Sequence, residues 1–344
     1  MTKVMSIPSA NQADLRLVEV KELLSGILFS DSVLNLIDSS VVRNIRVIEN
    51  DIYVRLFHGS DQTNLIDLVR SALQNIPWCN RVVVDPRTIP GVKRTLAVAS
   101  GKGGVGKTSV TVALARSLKL SGFKVGILDA DVYGPNISTI LSSDEIIVDT
   151  LETSSGTKFV PHVVDGIKII SVGMLAEEGQ SLAWRGPILT RLLKQFMFDV
   201  QWEDLDFLLI DLPPGTGDAQ ITLLQECPLA AVLLVGIPGL SSQSDLIRTV
   251  AMFKEFNLPF LGYIENFSNV KCPHCGEQFS FLLDHSGHID SPSEIPGNDV
   301  PLIAQLQIHP EILTQRSGDV VQTLESVHPE VFSSLASVCS KLIP

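Results

Sequence analysis

The stretch LAVASGKGGVGKTSVTVALARSLKLSG, Leu96 to Gly122, constrains this chain more than any other. A short, wholly apolar run leads straight into GKGGVGKTS, Gly101 to Ser109, and then into a segment of helical periodicity that stops on Gly122. The pattern G-x-x-x-x-G-K-[ST] between a strand and a helix describes a loop that wraps the phosphates of a nucleotide. Gly101, Gly103, Gly104 and Gly106 let backbone N–H groups converge on phosphate where side chains would obstruct them. Lys107 offers a point charge to the β- and γ-phosphates and Thr108 a hydroxyl to Mg²⁺; the helix N-terminus adds its positive dipole end. Lys102, Val105 and Ser109 complete the loop.

A nucleotide site of this kind needs carboxylates at neighbouring strand ends, and the sequence supplies them. KVGILDAD carries Asp129 and Asp131 at the end of one apolar run, and DFLLIDLPPGTGD ends its run on Asp211 before a Pro/Gly-rich turn. Asp211 has the position of a carboxylate for Mg²⁺, and the turn after it suits a segment that moves with the γ-phosphate.

From Leu96 onward, LAVAS, KVGILDAD, IKIISVG, DFLLID, AAVLLVG, LPFLGYIEN and VPLIAQL read as strands buried on both faces, several of them separated by helical segments. That alternation predicts an α/β fold, a mainly parallel sheet with helices on both faces and ligands at the carboxyl ends of the strands. The polar stretch Ser142 to Asp165 reads as a loop or small hairpin. Ahead of it, residues 1–88 read as a flexible arm and a small α/β domain: a helix in LRLVEVKELLSGIL, two strands around Glu49-Asn50-Asp51, a helix in TNLIDLVRSALQNI and a strand in RVVVD. Residues 89–94 read as a linker, and residues 95–344 as the nucleotide-binding domain.

A formal net charge of −12 and the lack of a Lys/Arg cluster argue against nucleic acid as a partner. The longest uncharged stretch, Cys227 to Ser244, is broken by Pro228, Pro238 and Gly239, so no membrane span is expected. The first residues lack a secretory or transit pattern, and five cysteines in 344 residues suit a reducing compartment; a cytoplasmic protein is expected. Cys79, Cys227 and Cys339 lie in apolar surroundings and are expected to act as small hydrophobes.

Cys272 and Cys275 are different. They stand in CPHCG, where Pro273 and Gly276 favour a tight metal-binding turn, though a reduced thiol pair in a loop fits as well. His274, His285 and His288 lie nearby, but C-x₂-C-x₉-H-x₂-H is shorter than zinc-finger spacing, and the last two read as surface residues.

Taken in order, VASGKGGVGKTS, GILDADVYGPN, AWRGPILTRLLKQF, DFLLIDLPPGTGDAQITL, LPFLGYIENFS with CPHCG, and VPLIAQLQIHPEI resemble the Mrp/ApbC family of iron–sulfur cluster carrier ATPases. The lysine at Lys102 resembles the deviant phosphate loop of the wider class that includes the nitrogenase iron protein, MinD and ParA. The resemblance implies an ATP-hydrolysing homodimer that sandwiches two ATP, with Lys102 of each subunit reaching the phosphate bound by the other. It implies that Asp131 orients the attacking water, that Asp211 holds Mg²⁺, and that Asn266 contacts adenine. Arg185, in WRGP, is implied as a dimer or switch contact.

It further implies a [4Fe-4S] cluster delivered to apoproteins. Two thiolates per chain are half of what such a cluster needs, so Cys272 and Cys275 of two subunits would face each other. Zinc suits the same four thiolates, either as a substitute or as a structural site, and the sequence does not separate the metals. The chain departs from the family in three places: FLLDHSGHID replaces a glycine-rich turn after CPHCG, Ile237-Pro238-Gly239 replaces Thr-Pro-Gln, and the small domain lacks its usual cysteine. A positioning ATPase of the MinD/ParA type is the alternative and would need a membrane-binding amphipathic tail or a basic DNA-binding face. The tail HPEVFSSLASVCSKLIP has an apolar stripe but only Lys341 as a cation, which suits packing onto the sheet better.

Overall fold

The computed structural model describes residues 12–28, 35–131, 137, 149–154, 156–175, 186–272, 274–275, 277–279, 295, 299–308, 324 and 326–343. Trp184, Arg185, Pro273, Gly276, His285 and His288 lie outside the described residues. The chain divides into two compact units, residues 1–58 with 62–87, and residues 59–61 with 88–344.

The first unit is built from α1 (Gln12–Ser25), β1 (Val42–Ile48), β2 (Asp51–Phe57), α2 (Asn64–Gln74) and β3 (Arg81–Arg87). Its sheet order is β1-β2-β3, with β1 antiparallel and β3 parallel to β2. Alternation along β2 sends Ile52, Val54 and Leu56 into a core with Val20 and Leu24 of α1 and Leu65, Val69 and Leu73 of α2. The turn between β1 and β2 falls where the sequence places it, with Glu49 at φ 54.

In the second unit β4 (Val92–Ala99) runs into the glycine loop, and α3 (Lys107–Leu120) follows. The sheet continues with β5 (Val125–Asp129), β8 (His162–Val164), β9 (Ile167–Ser171), β10 (Leu205–Asp211), β11 (Leu229–Gly236), β12 (Phe260–Glu265) and β15 (Leu302–Gln305). Their order is β15-β12-β11-β4-β10-β5-β9-β8, all parallel except β8. One face is covered by α4 (Gly186–Phe198), α5 (Asp218–Glu226) and α6 (Leu240–Glu255), through residues such as Leu193, Phe196, Leu223 and Phe253. The other is covered by α3 and by α7 (Pro329–Ser340), which packs on α3 and whose Phe332, Leu335, Ala336 and Cys339 are buried in the same core as Leu96 and Val98 of β4. The apolar face of the tail is therefore spent on the core.

Two short hairpins complete the unit: β6 (Asp149–Thr153) with β7 (Gly156–Val160), inside the segment read as a loop or hairpin, and β13 (Val270–Lys271) with β14 (Gln278–Phe279).

Three local features show why the elements stop and start where they do. α3 ends at Leu120, and just beyond it Gly122 at φ 92 makes a left-handed turn that lets Phe123 N–H reach Leu118 O at 3.2 Å, while Phe123 packs edge-on against Phe207 at 5.2 Å. The stretch read as a linker is partly strand: β3 extends to Arg87, Ile89 is buried, and β4 begins at Val92. Backbone pairing of Val92 and Arg94 with β10 draws this stretch into the sheet, and Arg94 closes an ion pair with Asp61 at 2.7 Å. VPLIAQL, read as buried on both faces, is the sheet's edge strand β15, paired only to β12 and alternating half-buried with exposed.

Candidate nucleotide and metal site

The carboxyl ends of β4, β5, β10 and β12 bring the predicted loop, carboxylates and asparagine together. β10 lies between β4 and β5, and register sets Asp211 opposite both Val98 and Asp129. Asp129 and Asp211 are fully buried, and Asp131 nearly so. Lys107, the first residue of α3, meets them: its Nζ is 2.7 Å from Asp211 Oδ1 and 3.6 Å from Asp131 Oδ2. Thr108 Oγ1 donates to Asp211 Oδ2 at 2.7 Å, which sets a hydroxyl beside a carboxylate, the oxygen donors a hard divalent cation takes.

Charge in this pocket is finely opposed. Burial pulls the Lys107 ammonium toward deprotonation, but Asp211 and Asp131 outweigh it and hold the group above its ordinary value. Asp129 goes the other way: burial first, then the Asp211 charge, push it up to about 7 despite Lys107 and a hydrogen bond from Ser171 Oγ at 2.9 Å.

The loop's glycines serve different needs. Gly106 sits at φ 84, and a Cβ there would lie 2.3 Å from Asn266 Nδ2. At Gly101 a Cβ would strike the α6 backbone, 2.6 Å from the carbonyl carbon of Asp245. Gly103 and Gly104 are exposed, Val105 is buried, and Lys102, Thr108 and Ser109 are half-buried. Gly215 N–H, in the turn after Asp211, donates to Ser100 O at 3.1 Å, linking that turn to the loop.

Asn266 is buried at the end of β12 and donates from Nδ2 to Val105 O at 2.9 Å. From there the chain runs directly to the cysteines. Ser268 N–H donates to Leu306 O at 3.0 Å and Ile308 N–H to Asn269 O at 2.8 Å, fixing the root of the β13–β14 hairpin beside β15. Cys272 N–H closes the turn onto Glu277 O at 2.8 Å. Cys272 is half-buried and Cys275 exposed. The N–H groups of Cys275 and His274, with the Cys275 thiol, lower the Cys272 thiol below its ordinary value, which favours the thiolate form that binds metal. Among the described residues no group of three or more His, Cys, Asp or Glu side chains could hold a metal ion.

Two partners of the site are absent from the sequence reading. Thr111 Oγ1 donates to Asp211 Oδ1 at 3.1 Å, and Ser171 positions Asp129. Thr111 could have been found as one turn of helix beyond Lys107, and Ser171 as the end of the next apolar run after Asp129.

A strand, glycine loop and helix carrying lysine and threonine, with a strand-end aspartate beside them in a mostly parallel sheet, define a P-loop NTPase. The chain belongs to the iron-transfer branch of these proteins: the family model described as ParA, NUBPL iron-transfer P-loop NTPase, matches residues 91–343. The iron-sulfur cluster carrier protein of Helicobacter pylori is 38% identical over 259 residues, 73% of this chain and 68% of that one. The protein of the same name from Aquifex aeolicus is 37% identical over 265 residues, 75% of this chain and 70% of its own. Among solved structures, a nucleotide-binding protein of Archaeoglobus fulgidus in complex with ADP, with cobalt, superposes with a TM-score of 0.57 at 29% identity, covering 71% of this chain and 92% of that one. No helix of the described residues is long and apolar enough to cross a membrane.

Proposed function

We propose that this protein is an ATP-hydrolysing, cytoplasmic carrier that holds a [4Fe-4S] cluster as cargo between two copies of itself and passes it to apoproteins. The observation that carries the reading is the short path from the phosphate loop to the thiols, one hydrogen bond and then continuous chain. Asn266 holds the Val105 carbonyl of the loop, and the same strand runs on through a pinned hairpin root to Cys272 and Cys275. A loop that changes shape with nucleotide would thus pull on the metal turn.

In this mechanism Lys107 and the helix N-terminus neutralise the phosphates, and Lys102 completes the site bound by the partner copy. Gly101 to Ser109 wrap the phosphates, and Asn266 contacts the base. Thr108 and Asp211 would hold Mg²⁺, which supplies charge neutralisation to the triphosphate when bound. Asp131, with its carboxylate 3.6 Å from Lys107 Nζ, orients the attacking water, while Asp129 accepts from the Asp131 backbone N–H at 3.1 Å and so sets its direction. Two thiolates per copy make four across a dimer, the number a [4Fe-4S] cluster takes. The names of the relatives, as iron-sulfur cluster carriers, support this cargo.

The test is anaerobic reconstitution with iron and sulfide, reading the absorbance spectrum and the iron content of wild type and of the Cys272→Ala/Cys275→Ala variant. About four irons per dimer, lost in the variant while nucleotide binding persists, is the expected outcome. Iron retained at wild-type stoichiometry in the variant would refute the bridging site. Stable zinc with no cluster uptake would make the hairpin a structural staple.

A further inference from the structure

The three-stranded sheet of the first unit has one face under α1 and α2 and a second that no described element of this unit covers. Pairing register fixes what stands on that second face. Across it, Ile48, Asp51 and Arg81 form one row, Arg46, Tyr53 and Val83 the next, and Asn44, Arg55 and Asp85 the third. Phe57 and Arg87 form a fourth, where the Arg43 guanidinium lies 4.3 Å over the Phe57 ring and closes that end.

Five arginines (Arg43, Arg46, Arg55, Arg81, Arg87) and two aspartates (Asp51, Asp85) leave this face three charges positive, on a chain whose formal charge is −12. Every cation on it is arginine, whose planar fork suits bidentate capture of carboxylate. Asp85 already holds two of the forks, Arg55 at 3.0 Å and Arg87 at 3.3 Å, a rigid arrangement at that side. Arg46 and Arg81 are exposed at the other, and Ile48 beside them is 56% exposed. A shallow depression on this face is lined by Arg46, Ile48, Tyr53, Arg55 and Val83, with Asp85, already held by Arg55 and Arg87, at its edge.

We infer that this face docks an acidic segment of a partner protein, with carboxylates on Arg46 and Arg81 and an apolar side chain against Tyr53 and Ile48. Charge complementarity selects this occupant. A second copy of so acidic a chain would have to present a local acidic patch, whereas a flexible acidic segment needs none. A nucleic acid would meet Asp51 and Asp85 on the face and the −12 charge of the chain around it. The inference is independent of the reading of the nucleotide site.

The experiment uses the full chain and a dye-labelled short peptide of glutamates with one leucine and one phenylalanine, followed by fluorescence anisotropy at low and high salt. Saturable binding that weakens with salt, and that falls at least about tenfold in Arg46→Glu/Arg81→Glu, supports the inference. That variant should keep the wild-type circular dichroism spectrum and thermal unfolding profile, which shows that the small unit folds. Arg46→Gln/Arg81→Gln should give an intermediate loss. Equal binding by wild type and both variants, or no binding, overturns the inference. So does tighter capture of a single-stranded oligonucleotide than of the peptide, or a change in oligomeric state on charge reversal, which would make the face an interface between copies.

Discussion

Lys107→Met is the sharpest perturbation of the nucleotide pocket, because it removes the charge and keeps the length of the side chain. In the ligand-free protein this ammonium, with 6% of its side chain exposed, answers Asp211 at 0% and Asp131 at 12%. Removing one member of a buried pair costs about 3–5 kcal/mol, since the remaining charge stays desolvated. For a unit of this size each kcal/mol moves the midpoint by about 2–4 °C, so the apo protein should melt roughly 6–20 °C lower. Adding Asp211→Asn removes the orphaned charge and should recover most of that loss. Recovery stays incomplete by about 1 kcal/mol, because Thr108 and Thr111 each donate to a different oxygen of Asp211 and an amide has only one. The assay is thermal and urea unfolding of wild type, both single variants and the double variant without nucleotide. A Lys107→Met loss below about 1 kcal/mol, or a double variant equal to the sum of the singles, would refute the reasoning, because either outcome means that Lys107 and Asp211 are not coupled.

Two further expectations concern neighbouring residues. Asp129 is raised in the folded state from 3.8 to about 7, so the native protein binds an extra proton between those values. Stability from this group is therefore present below pH 4 and lost as pH rises to about 7; Asp129→Asn should flatten the stability–pH curve of the apo protein across that window, and an unchanged slope in urea titrations would contradict it. Gly106→Ala adds left-handed strain of about 1–2 kcal/mol and drives a methyl into Asn266, losing about 1 kcal/mol more with the bond to Val105. Gly104→Ala, at φ 75 with nothing within 4 Å of its Cβ, should show the strain alone, and equal losses for the two variants would remove the Asn266 contact from the account.

How much of this could be read in the sequence follows from which constraints are local. The phosphate loop is dictated by its own residues, so its place between β4 and α3 was legible from the glycines and Lys107. Asp129 and Asp211 were legible as strand ends because a strand buried on both faces admits a charge only where it leaves the sheet. That they stand opposite each other in register depends on β10 inserting between β4 and β5, an order no local pattern states. The same holds for Ser171, which reaches Asp129 only because β9 pairs with β5. Residues 89–94 read as a linker because Pro90, Gly91, Lys93 and Arg94 outweighed a backbone that, from Val92, pairs with a strand far along the chain. The arginine face of the small sheet was invisible as a cluster, since its members come from three strands and only their pairing gathers them.

The balance of charge in the pocket makes a final demand on how nucleotide enters. Three carboxylates, Asp129, Asp131 and Asp211, face the single ammonium of Lys107, which leaves the pocket two charges negative when all are ionised. Lys107 cannot turn to a polyphosphate without leaving Asp211, and Asp211 is buried with only Thr108 and Thr111 to replace it. Phosphate binding is therefore unfavourable while Asp211 is unneutralised and favourable with a cation at Thr108 and Asp211, a favourable coupling of the usual size of about 1–3 kcal/mol. Calorimetric titration of ATP should give an affinity at least about tenfold lower in chelator than in Mg²⁺. Asp211→Asn should shrink that ratio from both sides, since the amide neither repels phosphate nor attracts the cation. Equal affinities in chelator and Mg²⁺ for wild type would mean that Lys107 serves the phosphates without releasing Asp211, and the opposed charges described above would not govern the site.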